Sequence, residues 1–340
     1  MFESDAWFRS GGIRLPYVTD ATVTHDGGTA TIVLPQEAAL VLGDPEIESL
    51  ESLRPRPLGA TVGVWRVRGG GGSAIVKLLR LGASPNLNWR ASENPAHPRW
   101  WRREPSVYAQ GIPDLFEPEL RAPRLLHVGE RTDGSVALWL EDLGRPASWT
   151  VEAVADVARL LGAAQGRLSR DLPNGLPSGF LRAYLEPRLD HLAEPFAGNR
   201  EAILLRLDQI SQTICHFDLH PANVFPGRGG MAVIDWAYCG LGPIGADAGV
   251  LASDALADEI IKASEAAALV AAVWAAYSDG LADERLSEEA AEVYALGTAL
   301  RYAWLPAWVN GEYGPEPSES RRLGAAAAHE AFLELAERWL

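Results

Sequence analysis

From Thr150 onward the chain changes its period. Apolar residues recur every three to four positions through 151–168, 179–195, 200–212, 257–278, 287–304 and 318–339, the spacing that lays one apolar stripe along a helix. Ser287 before Glu288 and Glu289, and Ser318 before Glu319, have the form of helix starts with acids in the first turn. Upstream the period is two. "ATVTHDGGTATIVLP", 21–35, alternates on both sides of Asp26-Gly27-Gly28, a hairpin signal. "LGATVGVWRVRG", 58–69, and "SAIVKLLRLG", 73–82, are two strands, with the glycines at 69–72 as the tight turn between them. "PRLLHVGE", 123–130, and "SVALWLEDLG", 135–144, add two more strands, and "PRWWRREPSVYAQG", 98–111, is predicted helical with Pro98 or Pro105 near its start. Strands first and helices after make an α+β chain. The expected division is a β-rich N-terminal lobe at 1–140, a joint at 141–146 and a mostly helical lobe at 147–340.

The exceptions to the helical half lie together. "ICHFDLHPANVF", 214–225, and "AVIDWAYCG", 232–240, sit on short strands expected at 213–216 and 231–235, joined through a turn at Gly227–Gly230. An ionised carboxylate is costly to bury unless it is paired, hydrogen-bonded or bound to a metal, so Asp218 and Asp235 each need a task. Phosphoryl transfer to an alcohol offers one. It needs a group to orient the hydroxyl and take its proton, hard oxygen ligands for magnesium, and cations against the phosphates. Asp218 suits the first role, and Asn223 and Asp235 suit the second. The hairpin brings the three to one end of the lobe.

Lysine usage singles out a candidate for the third role. The chain has 28 arginines and two lysines, Lys77 and Lys262. A lysine kept within the apolar "AIVKLL" asks for a compact point charge rather than a planar fork. Lys77 would then face the phosphates from the other lobe.

H-x-D-x-x-x-x-N followed by "IDW" resembles the aminoglycoside phosphotransferase and choline kinase-like branch of the protein-kinase fold. The likeness is specific in "HFDLHPANV" and "AVIDW" and extends over about residues 50–300. "AIVK" resembles the lysine strand, "WWRRE" the helix whose glutamate pairs that lysine, and "LWLEDL" the hinge strand. The resemblance implies a two-lobed kinase-like fold, with Asp218 as catalytic base and with Asn223 and Asp235 holding Mg2+. It implies that Lys77 contacts the phosphates of ATP or GTP and pairs with Glu104. It also implies that the glycine-bearing strand of Gly59 and Gly63 and the backbone around Glu141–Leu143 bind the nucleotide, and that Asp247 braces the catalytic segment. Phe217 stands where the family often has glycine, Pro105 directly follows Glu104, and no segment resembles a protein-kinase activation loop. The acceptor is therefore a small molecule bearing a hydroxyl, an antibiotic among the candidates.

Two alternatives stay open at this point. One is a metal-dependent hydrolase built on His216, Asp218 and His220. The other is a metabolic sugar or amino-alcohol kinase of the same fold. Charge narrows the partners further. The net charge of −15 excludes the basic footprint of a nucleic-acid binder. Residues 1–150 carry 18 acids against 16 bases, and 151–340 carry 27 against 14. The acidic half suits a cationic acceptor, although solvated helix faces account for such charge more simply. The longest apolar run, 266–277, is too short to span a bilayer. The N-terminus lacks a basic and then apolar leader, and two cysteines make no disulfide framework, so a cytoplasmic enzyme is expected.

Overall fold

Alternating β-branched and aromatic residues build the first part of the chain, as their fit to a pleated, half-buried surface requires. The computed structural model describes residues 21–340 apart from 26–27, 55–56, 85–89, 146–147, 228–229 and 314–317. The chain divides into two compact units, the second comprising Gly111–Arg121 and Arg145–Leu340. The first unit begins with β1 (Ala21–His25) and β2 (Gly28–Val33), an antiparallel pair with His25 opposite Gly28. The predicted turn residues Asp26 and Gly27 lie outside the described residues. Helix α1 (Pro35–Leu42) follows, with Pro35 in its first turn where no intrahelical N–H is needed. Then come β3 (Ser49–Arg54), β4 (Thr61–Gly69) and β5 (Gly72–Leu79), and after a long connection α2 (Arg103–Ala109). The helix expected at 98–111 thus starts later, and Pro105 falls in its first turn, where its missing donor breaks no helical bond.

After β6 (Leu120–Arg121) the chain adds β7 (Leu125–Glu130) and β8 (Val136–Glu141). Five strands form an antiparallel sheet in the order β3-β4-β5-β8-β7. Gly70 and Gly71 both take positive φ in the β4–β5 turn, as a two-residue hairpin requires. Trp65, Val67, Val76 and Trp139 are buried on this sheet. Buried Glu37 pins α1 to it, pairing with Arg131 at 2.6 Å and accepting the Trp139 indole N–H at 3.1 Å.

Residues 111–121, counted above with the N-terminal lobe, belong to the second unit. Strand β6 pairs in parallel with β11 (Gly230–Val233), and Phe116 meets the Trp236 ring edge-on at 5.1 Å. Arg167 donates to the carbonyls of Leu115 and Glu117 and pairs with Glu119 at 2.7 Å.

The second unit is mostly helical: α3 (Val151–Leu168), α4 (Phe180–Leu185), α5 (Phe196–Leu207), α6 (Ala246–Ala257), α7 (Ala266–Leu281), α8 (Glu284–Glu292), α9 (Thr298–Arg301), α10 (Leu305–Val309) and α11 (Glu319–Ala336). Its strands are β9 (Gln212–Cys215), β10 (Val224–Gly227), β11 and β12 (Gly240–Pro243). Thr150 caps α3 and Ser318 caps α11, each accepting an N–H from its helix's first turn.

Elsewhere the expected boundaries shift. The segment 179–195 is α4 followed by a 3-10 stretch from Glu186 to His191, with Pro187 at the change. The expected helix at 257–278 is the end of α6 and most of α7. The helix expected to open at Ser287 opens at Glu284, because Asp283 accepts the Leu286 N–H. Strand β12 was not expected and pairs antiparallel with β9. Among the described residues no helix is long and apolar enough to cross a membrane.

Candidate active site

Strand β9 delivers the chain to His216, whose ring ties two loops together. Its Nδ1 accepts the Asp218 N–H at 3.3 Å and its Nε2 lies 3.0 Å from the Ile234 carbonyl. That pattern calls for the Nε2–H tautomer. Burial lowers the His216 pKa, which suits a neutral ring despite Asp247, Asp218 and Asp235 nearby. One imidazole therefore fixes the backbone beside Asp218 and the backbone just before Asp235.

Asn223 closes the other side. It ends a 3-10 turn that starts at Pro221, and its Nδ2 donates to the Asp218 carbonyl at 2.9 Å and to the Asp218 Oδ2 at 3.3 Å. With the amide nitrogen turned to Asp218, its oxygen is turned away and has the chemistry of a hard metal ligand. Asp235 follows β11 in a left-handed conformation, φ 65°, before the turn Trp236–Tyr238. Trp236 anchors this turn by donating from its indole to the Val233 carbonyl at 2.8 Å and by packing edge-on against His216.

Phe217 is also left-handed, at φ 63°. Glycine takes this conformation freely, whereas a phenylalanine needs compensation. Three contacts provide it. Asp247 accepts the N–H groups of His216 and Phe217, each at 2.7 Å. Arg301 donates to the Phe217 carbonyl at 2.8 Å. The Phe217 ring stacks on Phe180 with centroids 4.4 Å apart. A Cβ on Gly242 would overlap that ring, so β12 carries glycine there. Burial raises the Asp247 pKa, and its hydrogen-bond donors work against that rise.

In the sheet-bearing unit, Lys77 on β5 and Glu104 on α2 form a buried ion pair at 2.6 Å. Glu141 ends β8, and its carboxylate accepts the Arg124 N–H at 3.1 Å. The segment that follows, with Leu143, is held by Arg66, which pairs with Asp142 at 2.8 Å and donates to the Gly144 carbonyl at 2.6 Å. Burial pushes the Asp142 carboxyl up, but the bonds from Arg66 and the Gly144 N–H outweigh it and hold the pKa below the usual value. Gly59 takes φ 58° in the turn before β4. Gly63 lies within β4, where a Cβ would overlap the Trp65 indole, so packing alone gives this glycine a reason.

The hydrolase set does not assemble. Both His216 ring nitrogens are engaged by backbone, His220 lies 3.9 Å from Asp258, and among the described residues no group of three histidine, cysteine or acidic side chains is placed to hold a metal.

Two supporting residues were missed. Gln165 on α3 donates to Asp247 and to the Ile214 carbonyl, both at 3.0 Å, and accepts from the Tyr277 hydroxyl at 2.7 Å. A glutamine on the apolar face of α3 was its only sequence signal. Arg301 had none.

A family model for the phosphotransferase enzyme family (APH) matches residues 52–288, more than two thirds of the chain. The chain belongs to this family. It is a small-molecule kinase with a protein-kinase-like fold. Solved structures agree on the fold. A complex of amicoumacin kinase hAmiN with AMP-PNP, Ca2+ and Ami is similar at TM-score 0.60 and 14% identity, over 89% of this chain and 92% of that one. A thermostable mutant of an aminoglycoside phosphotransferase, in ternary complex with ADP and hygromycin B, matches at TM-score 0.50 and 13% identity, over 89% and 98%. The GDP complex of wild-type aminoglycoside 2'-phosphotransferase-IIIa matches at TM-score 0.50 and 13% identity, over 88% and 97%. Comparison with curated proteins gives no significant match.

Proposed function

We propose that this phosphotransferase moves the terminal phosphoryl group of ATP or GTP to a hydroxyl of a small molecule, an antibiotic among the candidate acceptors, in the cytoplasm. Asp218 takes the hydroxyl proton. Asn223 and Asp235 would hold Mg2+, which supplies charge neutralisation on the phosphates. Lys77, kept in place by Glu104, contacts the phosphates, and the segment Glu141–Leu143 with the strand of Gly59 and Gly63 holds the nucleotide. In this reading the sheet-bearing unit carries the donor, and the helical unit carries the catalytic loop and the acceptor.

The observation that supports it best is the bonding of Asn223. Its amide nitrogen is spent on Asp218, which leaves an oxygen for a hard cation while the same bond fixes the carboxylate that needs to be the base. A buried Lys–Glu pair on the expected strand and helix supports the donor side. Among the fold relatives, one complex carries AMP-PNP and Ca2+ and another GDP, so both purine donors belong in the assay.

The test is NDP release with ATP and with GTP over an acceptor panel of antibiotics, sugars and amino alcohols, with mass spectrometry for an added phosphate. Nucleotide binding should require Mg2+, and Asp235→Asn should weaken it while Asp218→Asn spares it. Release of NDP with no phosphorylated acceptor on any member of the panel, or nucleotide binding indifferent to Mg2+ and to Asp235→Asn, would overturn the proposal.

A further inference from the structure

The helical unit contains a cavity of about 470 Å³ whose apolar wall includes Phe180, Leu204, Leu207, Phe217 and Val293. Arg301, on α9, also lines it. This arginine is only 6% exposed. One of its nitrogens donates to the Phe217 carbonyl at 2.8 Å, while its Nε has no hydrogen-bond partner. Its guanidinium sits over three rings, with centroids at 4.4 Å for Tyr184, 5.3 Å for Phe180 and 5.6 Å for Tyr302. Among the described residues it makes no ion pair. Asp254, Asp218 and Asp247 lie near enough for their charge to favour the cation without bonding it, and Asp254 is itself bonded by the Tyr302 hydroxyl at 2.8 Å.

A buried cation is costly unless it is paired. Aromatic faces offset part of that cost, yet they leave the Nε–H without an acceptor. The cavity has the size of a small-ligand site and a largely apolar lining; Arg182 and Asp208 also line it, but they pair with each other at 3.7 Å and are exposed, which leaves Arg301 as the buried cation on its wall. A cation entering it would meet Arg301 as a like charge, and a neutral apolar molecule would leave the Arg301 Nε–H without an acceptor. A carboxylate supplies that nitrogen with an acceptor of opposite charge.

We propose that this cavity is a binding site for a small aromatic or aliphatic molecule carrying one carboxylate, with Arg301 as its anchor. The site is separate in chemistry from the metal and nucleotide residues above. It touches the catalytic loop through Phe217, whose ring forms part of the wall and whose carbonyl shares the same guanidinium.

Calorimetric titration of the whole chain with 2-naphthoate and with its neutral counterpart 2-naphthamide tests this. One site should bind the acid at least about tenfold more tightly than the amide, the smaller end of what a charge-assisted hydrogen bond contributes. Arg301→Gln should remove that preference while leaving amide binding in place. Leu207→Trp, which fills the cavity from its apolar wall, should abolish binding of both. Should Arg301→Gln fail to fold, the acid-to-amide ratio in the unaltered protein and the Leu207→Trp variant still decide. Equal affinity for acid and amide, or acid binding that survives Leu207→Trp, overturns the proposal.

Discussion

A carboxylate that takes a proton from an alcohol must be held in place, and Asp218 is held at both ends. Its N–H goes to His216 and its carbonyl receives the Asn223 amide. Asp218→Asn keeps both backbone bonds and loses only the carboxylate proposed as the base. Turnover should fall by about 10²–10⁴-fold with nucleotide affinity and circular dichroism unchanged, and an unaltered turnover number would remove Asp218 from that role. Lys77 is a different case. Its pair with Glu104 is almost wholly buried at 2.6 Å, and a guanidinium is broader than an ammonium. Lys77→Arg should therefore lose nucleotide affinity and turnover although the charge is kept; wild-type behaviour in a nucleotide titration would argue against the phosphate contact. Asp218 and Asn223 stand out in the sequence because few residue types offer such chemistry and their spacing is local, and Lys77 because the chain has only two lysines. Gly63 was ambiguous for the opposite reason, since a glycine reads alike whether phosphate or the Trp65 ring needs the space. Gln165 and Arg301 were not legible, because their bonds to Ile214 and Phe217 cross 49 and 84 residues of chain.

At the scale of elements, α6 shows where periodicity runs out. Every residue from Asp247 to Ala257 is buried, so no polar face marks the helix, and the periodic pattern starts only downstream of it. The same helix presents two acids to the interior. Asp247 holds the backbone of His216 and Phe217, and Asp254 is buried and bonded by Tyr302. Burial, with Asp258 adding to it, pushes the Asp254 pKa up to about 6, while His220 and Arg301 act in the other direction. The sign follows from linkage. A carboxyl whose pKa is higher folded than unfolded binds its proton more tightly in the native state. Its favourable contribution is full below the unfolded value near 3.9 and is lost as pH rises through about 6. Asp254→Asn removes this titration and retains an oxygen for Tyr302. The melting temperature of the wild type relative to Asp254→Asn should drop between about pH 4 and pH 6.5 and then level. A constant difference across that range, measured by thermal unfolding in matched buffers, would mean that Asp254 titrates alike in both states.

On the scale of the molecule the charge is lopsided. The net of −15 falls almost wholly on residues 151–340, with 27 acids against 14 bases. Part of this is ordinary surface pairing, such as Arg182 with Glu201 and Arg285 with Glu289, and exposed pairs of that kind add little to stability. The unpaired excess remains a field, and a field distinguishes ligands by sign. A cationic acceptor would be drawn in and an anion held off. Salt screens exposed charges beyond about 8 Å at physiological ionic strength, but it barely reaches a buried contact such as that proposed for Arg301. The two ligands should therefore show opposite salt slopes on the same protein. The KM of a cationic acceptor should rise severalfold as salt is raised from low to high, with kcat unchanged. The affinity for 2-naphthoate should hold or improve over the same range, because the repulsive field fades while the contact at Arg301 persists. An acceptor KM indifferent to salt would return the acids to a solvated surface. Naphthoate binding that weakens in parallel with the acceptor would show that its anchor is an exposed charge rather than the buried arginine.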